Sequence, residues 1–286
     1  MLDIKRSLNE ILTLYFLEET LSDIYVEGAT DKFIIDNYID YKDISRNIYE
    51  IDLLDFSEKQ LEFPDLNLKS NKDKLLALAR IMQVNEIRST VVCIVDRDFD
   101  GILNPLEENG YLLYTDFSCI ESYLYSERFI GKLTAFGFKN FPHHPEIILH
   151  QIGELLKSLF IMRMINKSFN LNFSFPKMEN NMSVNKDSGI CSFEFNAYLE
   201  KYINVNKLLK NREEIYAFAI EISQKLSPDI RYNMNGHDFV EVLFNYLNKI
   251  KNTYNFRLET FEKTLFLALQ PNYLDDFELF KTISKM

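Results

Sequence analysis

Residues 91–101 read Val-Val-Cys-Ile-Val-Asp-Arg-Asp-Phe-Asp-Gly: five apolar residues of strand character break directly into three carboxylates at alternate positions. Such a cluster repels itself unless a divalent cation sits among its oxygens. Residues 24–31, Ile-Tyr-Val-Glu-Gly-Ala-Thr-Asp, are built the same way, with a short β-branched and aromatic run delivering Glu27 just before a glycine turn and a helix start. Two strands of this kind would present their acids at one sheet edge.

Helical and extended patterns alternate around these runs. Residues 3–19 predict an amphipathic lead-in helix with Leu8, Ile11, Leu12, Leu14, Tyr15 and Phe16 on its apolar face. A strand is expected over 23–27, and then a helix capped by Thr30 that runs through Phe33, Ile34, Ile35, Tyr38 and Ile39, with Asp31 in its first turn. Further strands are predicted at 48–54, 90–95 and 111–115, and a helix at 70–83 capped by Ser70 or Asn71. Strands alternating with helices imply parallel βαβ units, so the expected fold class is α/β, a parallel sheet flanked by helices.

In open α/β sheets the functional crevice lies outside the carboxyl ends of the strands, where Glu27 and the Asp-x-Asp-x-Asp motif can meet. Magnesium prefers oxygen ligands, keeps several waters and is held by one or two carboxylates plus substrate phosphates. The chemistry this implies is metal-assisted phosphoryl transfer, with Glu27 as a ligand or as a general acid/base.

Glu27-Gly28 after an apolar strand, followed by a strand ending in Asp96-x-Asp98-x-Asp100-Gly101, resembles the TOPRIM domain of topoisomerases, bacterial primases and OLD-type nucleases. The resemblance spans roughly residues 22–128. It implies that Glu27 is the acid/base or a metal ligand, that Asp96 and Asp98 hold Mg2+, and that Asp100 is a third acid. More narrowly, Val26-Glu27-Gly28-x-x-Asp31, the Asp motif, Asp116-x-x-x-x-Glu121-Ser122-Tyr123-Leu124 and Gly236-His237-Asp238 resemble the TOPRIM effector nucleases of PARIS anti-phage systems. That resemblance implies an endonuclease of RNA, tRNA included, or of DNA, acting as the toxic effector of an ABC-type ATPase partner. It implies one or two Mg2+ ions, replaceable by Mn2+, with Asp31 and Glu121 as further ligands. OLD-like relatives often carry Lys where this chain has His237, the candidate phosphate contact.

The chain is 286 residues long and 47% hydrophobic, ample for a packed core. No apolar run approaches the ~18 residues needed to span a bilayer, and the first residues read as an acid-containing helix instead of a signal-peptide core, so a cytoplasmic protein is expected. Cys93, Cys119 and Cys191 have neither the even count of a disulfide framework nor zinc-site spacing.

Net charge is −11, and its distribution is uneven. Residues 1–128 hold 13 Lys and Arg against 26 Asp and Glu, whereas residues 129–286 hold 19 against 17. An acidic catalytic half repels a polyanion, so phosphate contacts are expected from the second half, from bound metal or from a partner. A homodimer that places Lys201, Lys207, Lys210 and Arg212 of one copy beside the acids of the other would supply them. The expected domains are a catalytic one at 1–128 and a mainly helical one at 129–286. In the latter, helices are predicted at 145–167, 193–202, 206–226, 237–251, 258–268 and 273–283, with a hairpin or long loop at 168–192.

Each motif has a plainer reading. Asp96, Asp98, Asp100, Gly101 and Glu107 also satisfy EF-hand spacing, but a β-branched strand precedes them and Pro105 falls inside the loop. An acidic turn is the other alternative. Asp31 reads equally as a helix-capping acid, Glu121 as a solvent-facing residue of a helix at 118–126, His143 and His144 as surface histidines, and Gly236-His237-Asp238 as a turn and N-cap. The 24 Phe and 16 Tyr recur mostly at helical spacing and read as core. Two function classes follow: a metal-dependent nuclease, or a non-catalytic metal-binding interaction module that keeps the fold. A topoisomerase or primase fragment is the weaker third.

Overall fold

The computed structural model describes residues 5–62, 67–138, 140–171, 173–251 and 257–286. In chain order the elements begin β1 (Arg6–Ser7), α1 (Leu8–Leu17), β2 (Asp23–Val26), α2 (Ala29–Lys42), β3 (Asn47–Glu50), β4 (Leu54–Asp55), α3 (Ser57–Glu62), α4 (Asn71–Val84), β5 (Val92–Val95) and β6 (Leu112–Tyr114). They continue α5 (Glu127–Gly137), α6 (Pro145–Ser168), β7 (Met182–Val184), β8 (Cys191–Phe193), α7 (Phe195–Val205), α8 (Arg212–Ser223), α9 (Gly236–Ile250), α10 (Leu258–Ala268) and α11 (Glu278–Lys285). Contacts group the chain into two compact units, Met1–Arg97 with Pro105–Asp116 and Gln270–Met286, and Asp98–Asn104 with Phe117–Leu269. The expected division at 128/129 separates charge and helical pattern; contact grouping follows packing.

The first unit is the α/β part. Its four-stranded sheet is wholly parallel in the order β3-β2-β5-β6, with Ile24 beside Val92 and Tyr25 beside Cys93. Every residue of β2 and β5 is buried. A parallel strand covered on both faces reads as a continuous apolar run, which is why residues 91–95 show no alternation. Tyr25, Cys93, Val95 and Leu112 share a core with Leu8, Ile11, Leu12 and Tyr15 of α1 and Leu75, Leu78 and Met82 of α4. Each such large apolar side chain contributes about 1.5–3 kcal/mol on burial. The carboxylate of Asp23, also buried, accepts from Tyr15 Oη at 2.7 Å and Asn47 Nδ2 at 3.0 Å, so its burial leaves no unmet acceptor.

The C-terminal helix α11 belongs to this unit. Phe280 packs edge-on against Tyr38 of α2 with ring centres 4.8 Å apart, and the Tyr38 hydroxyl lies 2.9 Å from Ser284 Oγ. Asp116, just past β6, accepts from the amides of Glu278 at 2.8 Å and Leu279 at 3.2 Å. It therefore satisfies two of the four amides that a helix leaves open at its start.

The second unit is mainly helical. Its 24-residue α6 begins with Pro145, whose fixed φ suits the first helical position, and packs against α5, α7, α8 and α9. The antiparallel pair β7–β8 is a hairpin, as expected between α6 and α7. Asp98–Asn104 joins this unit through Phe99, whose ring lies 5.0 Å from that of Phe160 on α6. Among the described residues no helix is long and apolar enough to cross a membrane.

Several local expectations are corrected. The lead-in helix starts at Leu8, because Arg6–Ser7 pairs in parallel with β4, and Phe16 on its expected apolar face is 72% exposed; Asp3 and Ile4 lie outside the described residues. Gly28, not Thr30, is the N-cap of α2. The expected strand at 48–54 is interrupted by a 3-10 turn at Ile51–Leu53, which buries Ile51 between β3 and β4 along the chain. The helix expected at 118–126 is a 3-10 turn, Ile120–Leu124. His143 is buried and its Nε2 lies 2.8 Å from the Lys186 carbonyl, so it is a packed residue; of the pair, His144 is the surface histidine, as the N-cap of α6.

Candidate functional site

Glu27 is the first residue past β2 and Asp96 the first past β5, and these strands are parallel neighbours. The two acids therefore leave the sheet at the same edge. The Asp96 amide donates to Glu27 Oε1 at 3.2 Å, which holds the Glu27 carboxylate across the exit of the adjacent strand. Both residues are half-buried.

The first turn of α4 grips both strand ends. Ser70 caps this helix, its Oγ accepting from the Asp73 amide at 3.1 Å, and the two residues that follow turn towards the sheet. Asn71 Nδ2 donates to the Glu27 carbonyl at 2.8 Å. Lys72 Nζ donates to the carbonyls of Asp96 at 2.6 Å and Arg97 at 3.1 Å. Carbonyls at the end of a sheet lose their ladder partners, and these two side chains replace them. Arg97 is tied in turn to Thr115, through its amide to Oγ1 at 3.2 Å and through Nε to the carbonyl at 2.8 Å.

Asp31, in the first turn of α2, accepts from the Gly28 amide at 3.0 Å. Its helix-capping role is thus present in the structure, on the amide of the Glu27–Gly28 peptide. The other predicted residues belong to the second unit. Asp98 has a left-handed backbone, φ 49°, which Asp tolerates better than most residues, and its amide donates to the Ser118 carbonyl at 2.7 Å. Asp100 lies in the tight turn closed by the Gly101 amide on the Asn104 carbonyl at 2.6 Å, with Gly101 at φ 89°.

Glu121 is not solvent-facing. Its carboxyl lies against Gly236 at the start of α9, so close that a Cβ at position 236 would overlap it. Burial pushes this carboxyl above its usual range, and hydrogen bonding to its own backbone and Cys119, with the His237 charge, only partly opposes that shift. His237 itself is exposed, with Nδ1 3.6 Å from Glu262 Oε1. The N-terminus of α9, the expected phosphate position, therefore already faces a carboxyl group as well as its Asn235 cap. Among the expected phosphate-binding cations, Arg212 is paired with Glu200 at 2.6 Å and Lys201 Nζ donates to Asn181 Oδ1 at 3.1 Å.

The structure thus sets the Glu27 carboxylate on the Asp96 amide, and brings Glu121 and His237 to one helix start. Among the described residues, no group of three or more His, Cys, Asp or Glu side chains is gathered to hold a metal ion. Two acids that leave neighbouring strand ends at the same sheet edge still match the protein share of a magnesium site by donor type, since that ion takes one or two carboxylates and retains water. Sequence reading missed Asn71 and Lys72. A signal was available: a lysine in the first turn of a helix opposes the dipole, so its presence there points to a partner elsewhere in the fold. Comparison with known proteins finds no family and no curated protein that matches this chain.

Proposed function

We propose that this chain is a magnesium-dependent phosphodiesterase, a TOPRIM-like endonuclease of RNA or DNA that serves as the toxic effector of an ATPase-partnered anti-phage system. The observation that carries the enzymatic part is the contact between Glu27 and the Asp96 amide at neighbouring ends of a parallel sheet. The biological setting, the ATPase partner and a tRNA substrate rest on the sequence resemblance. Assembly as a homodimer is part of the same proposal, motivated by the acidity of residues 1–128.

Glu27 and Asp96 fit the metal by donor chemistry, and the resemblance adds Asp98, two residues further along the chain. When bound, the ion supplies Lewis-acid polarisation of a phosphoryl oxygen and lowers the pKa of a coordinated water. The chain's own residues do the rest. Glu27 offers a carboxylate oxygen to take a proton from the attacking water. Asn71 and Lys72 hold the peptides that carry the two acids, which limits the angular freedom of both side chains.

The test is incubation of the purified protein, alone and with its ATPase partner, with end-labelled DNA, tRNA and total RNA in Mg2+ or EDTA. Cleavage in Mg2+ alone, lost in Glu27→Ala, is the expected result. Absence of cleavage under every condition, with Mn2+ binding retained, would favour the non-catalytic interaction module instead.

A further inference from the structure

Within the second unit lies a cavity of about 200 Å³, far above the roughly 10–15 Å³ that one water needs. Its walls include Leu159 and Arg163 of α6, Met178, Tyr198 of α7, and Asp238 and Glu241 of α9. The spacing places Leu159 and Arg163 on one face of α6, and Asp238 and Glu241 on one face of α9.

The polar groups on these walls are unevenly satisfied. Asp238 holds Arg163 with two parallel bonds, from Nε at 2.5 Å and from one terminal nitrogen at 2.7 Å. The guanidinium is further fixed over the Phe175 ring, 5.4 Å from its centre. The second terminal nitrogen of Arg163 has no hydrogen-bond acceptor among the described residues. Glu241 is half-buried, and its carboxylate likewise has no hydrogen-bond donor among them. Burial, and next the nearby Asp238 charge, raise the Glu241 carboxyl above its ordinary value. One cavity therefore carries the pre-oriented Arg163 donor and the open Glu241 acceptor beside apolar walls, with the exposed Lys177 also on its lining.

We infer that this cavity is a binding pocket for a guanine base. Guanine presents the O6 acceptor directly beside the N1–H and 2-amino donors. Arg163 can donate to O6, as arginine does to guanine elsewhere, while the two oxygens of Glu241 accept from N1–H and the amino group. Leu159, Met178 and the side of Tyr198 offer apolar contact to the flat ring, the combination found where enzymes hold an unstacked base. Adenine reverses the pattern, setting a ring-nitrogen acceptor against the carboxylate. Uracil carries an acceptor beside a single donor, so it leaves one Glu241 oxygen unmet. A zwitterionic amino acid could also bridge Arg163 and Glu241, but it has no flat face for the apolar walls. This pocket does not depend on the nuclease reading, because none of its residues belongs to the Glu27 and Asp96 cluster.

The experiment is calorimetric titration of the intact protein in EDTA with guanosine, inosine, uridine, adenosine and glutamine. Guanosine is expected to bind most tightly, inosine at least fivefold more weakly for lack of the amino group, and uridine more weakly still, with no heat from adenosine or glutamine. Glu241→Gln, which keeps the shape of a partly exposed side chain, is expected to weaken guanosine at least tenfold. Failure of guanosine to bind, equal binding of adenosine, binding of glutamine in its place, or an unchanged affinity in Glu241→Gln would each overturn the assignment. Nucleic-acid cleavage in Mg2+, measured separately, reports on Glu27 and Asp96 whatever the titration shows.

Discussion

Lys72, from the first turn of α4, donates to the carbonyl of Asp96 at 2.6 Å, so the strand end that delivers a candidate metal ligand is held by a cation from a different element. The same ammonium reaches the Arg97 carbonyl. Lys72→Met removes the donor and leaves both half-buried carbonyls without it, at a cost of about 1–3 kcal/mol. The expected outcome is a lower urea midpoint and slower Mg2+-dependent cleavage, with Lys72→Arg recovering most of both. Equal stability and activity of Lys72→Met would show that the contact is incidental.

Glu27→Gln separates chemistry from support. Glutamine retains an oxygen to accept the Asp96 amide but loses the charge and the basicity of the carboxylate. Cleavage should fall by at least a hundredfold while stability stays within about 1 kcal/mol of wild type. If unfolding shifts as far as activity does, Glu27 is a structural residue.

Asp96→Ala removes a carboxylate from a sequence cluster that includes Asp98 and Asp100. In metal-free buffer its thermal midpoint should match or exceed that of wild type, because like charges repel. Magnesium should then raise the wild-type midpoint and leave the variant's unchanged, a difference that differential scanning calorimetry reads directly.

Gly236 lies directly against the Glu121 carboxyl. A Cβ at 236 would overlap the Glu121 carboxyl, so Gly236→Ala should destabilise by about 1–3 kcal/mol, although alanine ordinarily favours a helix over glycine. In a double-mutant cycle, Glu121→Ala should remove most of that cost. Additivity of the two substitutions would mean that the two residues do not crowd each other.

Glu121 also sets a direction for pH dependence. Its carboxyl is raised in the folded protein, mainly by burial, so between the ordinary carboxylate value and the folded value the native state binds more protons than the unfolded chain. Stability from this group is therefore full below the ordinary value and declines as pH rises through the folded value. Glu121→Gln should flatten the decline and stabilise the protein at neutral pH, as denaturant melts across pH 4–8 would show; a steeper decline in the variant would contradict the burial of this acid.

Much of the α/β unit was legible locally. The unbroken apolar run at 91–95 and the Ser70 cap each depend on residues a few positions apart, and both appear where their chemistry places them. Capping at Gly28 was misread because Thr30 is the better isolated cap, while the actual helix start follows directly from the strand exit and is held by Asp31 reaching back to the Gly28 amide. The solvent-facing alternative for Glu121 fails because helical spacing says which face a residue occupies, not whether another helix start closes over it.

The sequence by itself determined that apolar strands end in acids and that helices separate them, since hydrophobic period and capping act over one or two turns. Only the tertiary structure decided that β2 lies between β3 and β5, that α11 returns to pack on α2, that Asp116 caps it, and that Lys72 serves the Asp96 peptide. These pairings join residues far apart in the chain. Which partner an unmet carbonyl, amide or apolar face finds depends on what else is packed nearby, and that information exists only once the chain has closed on itself.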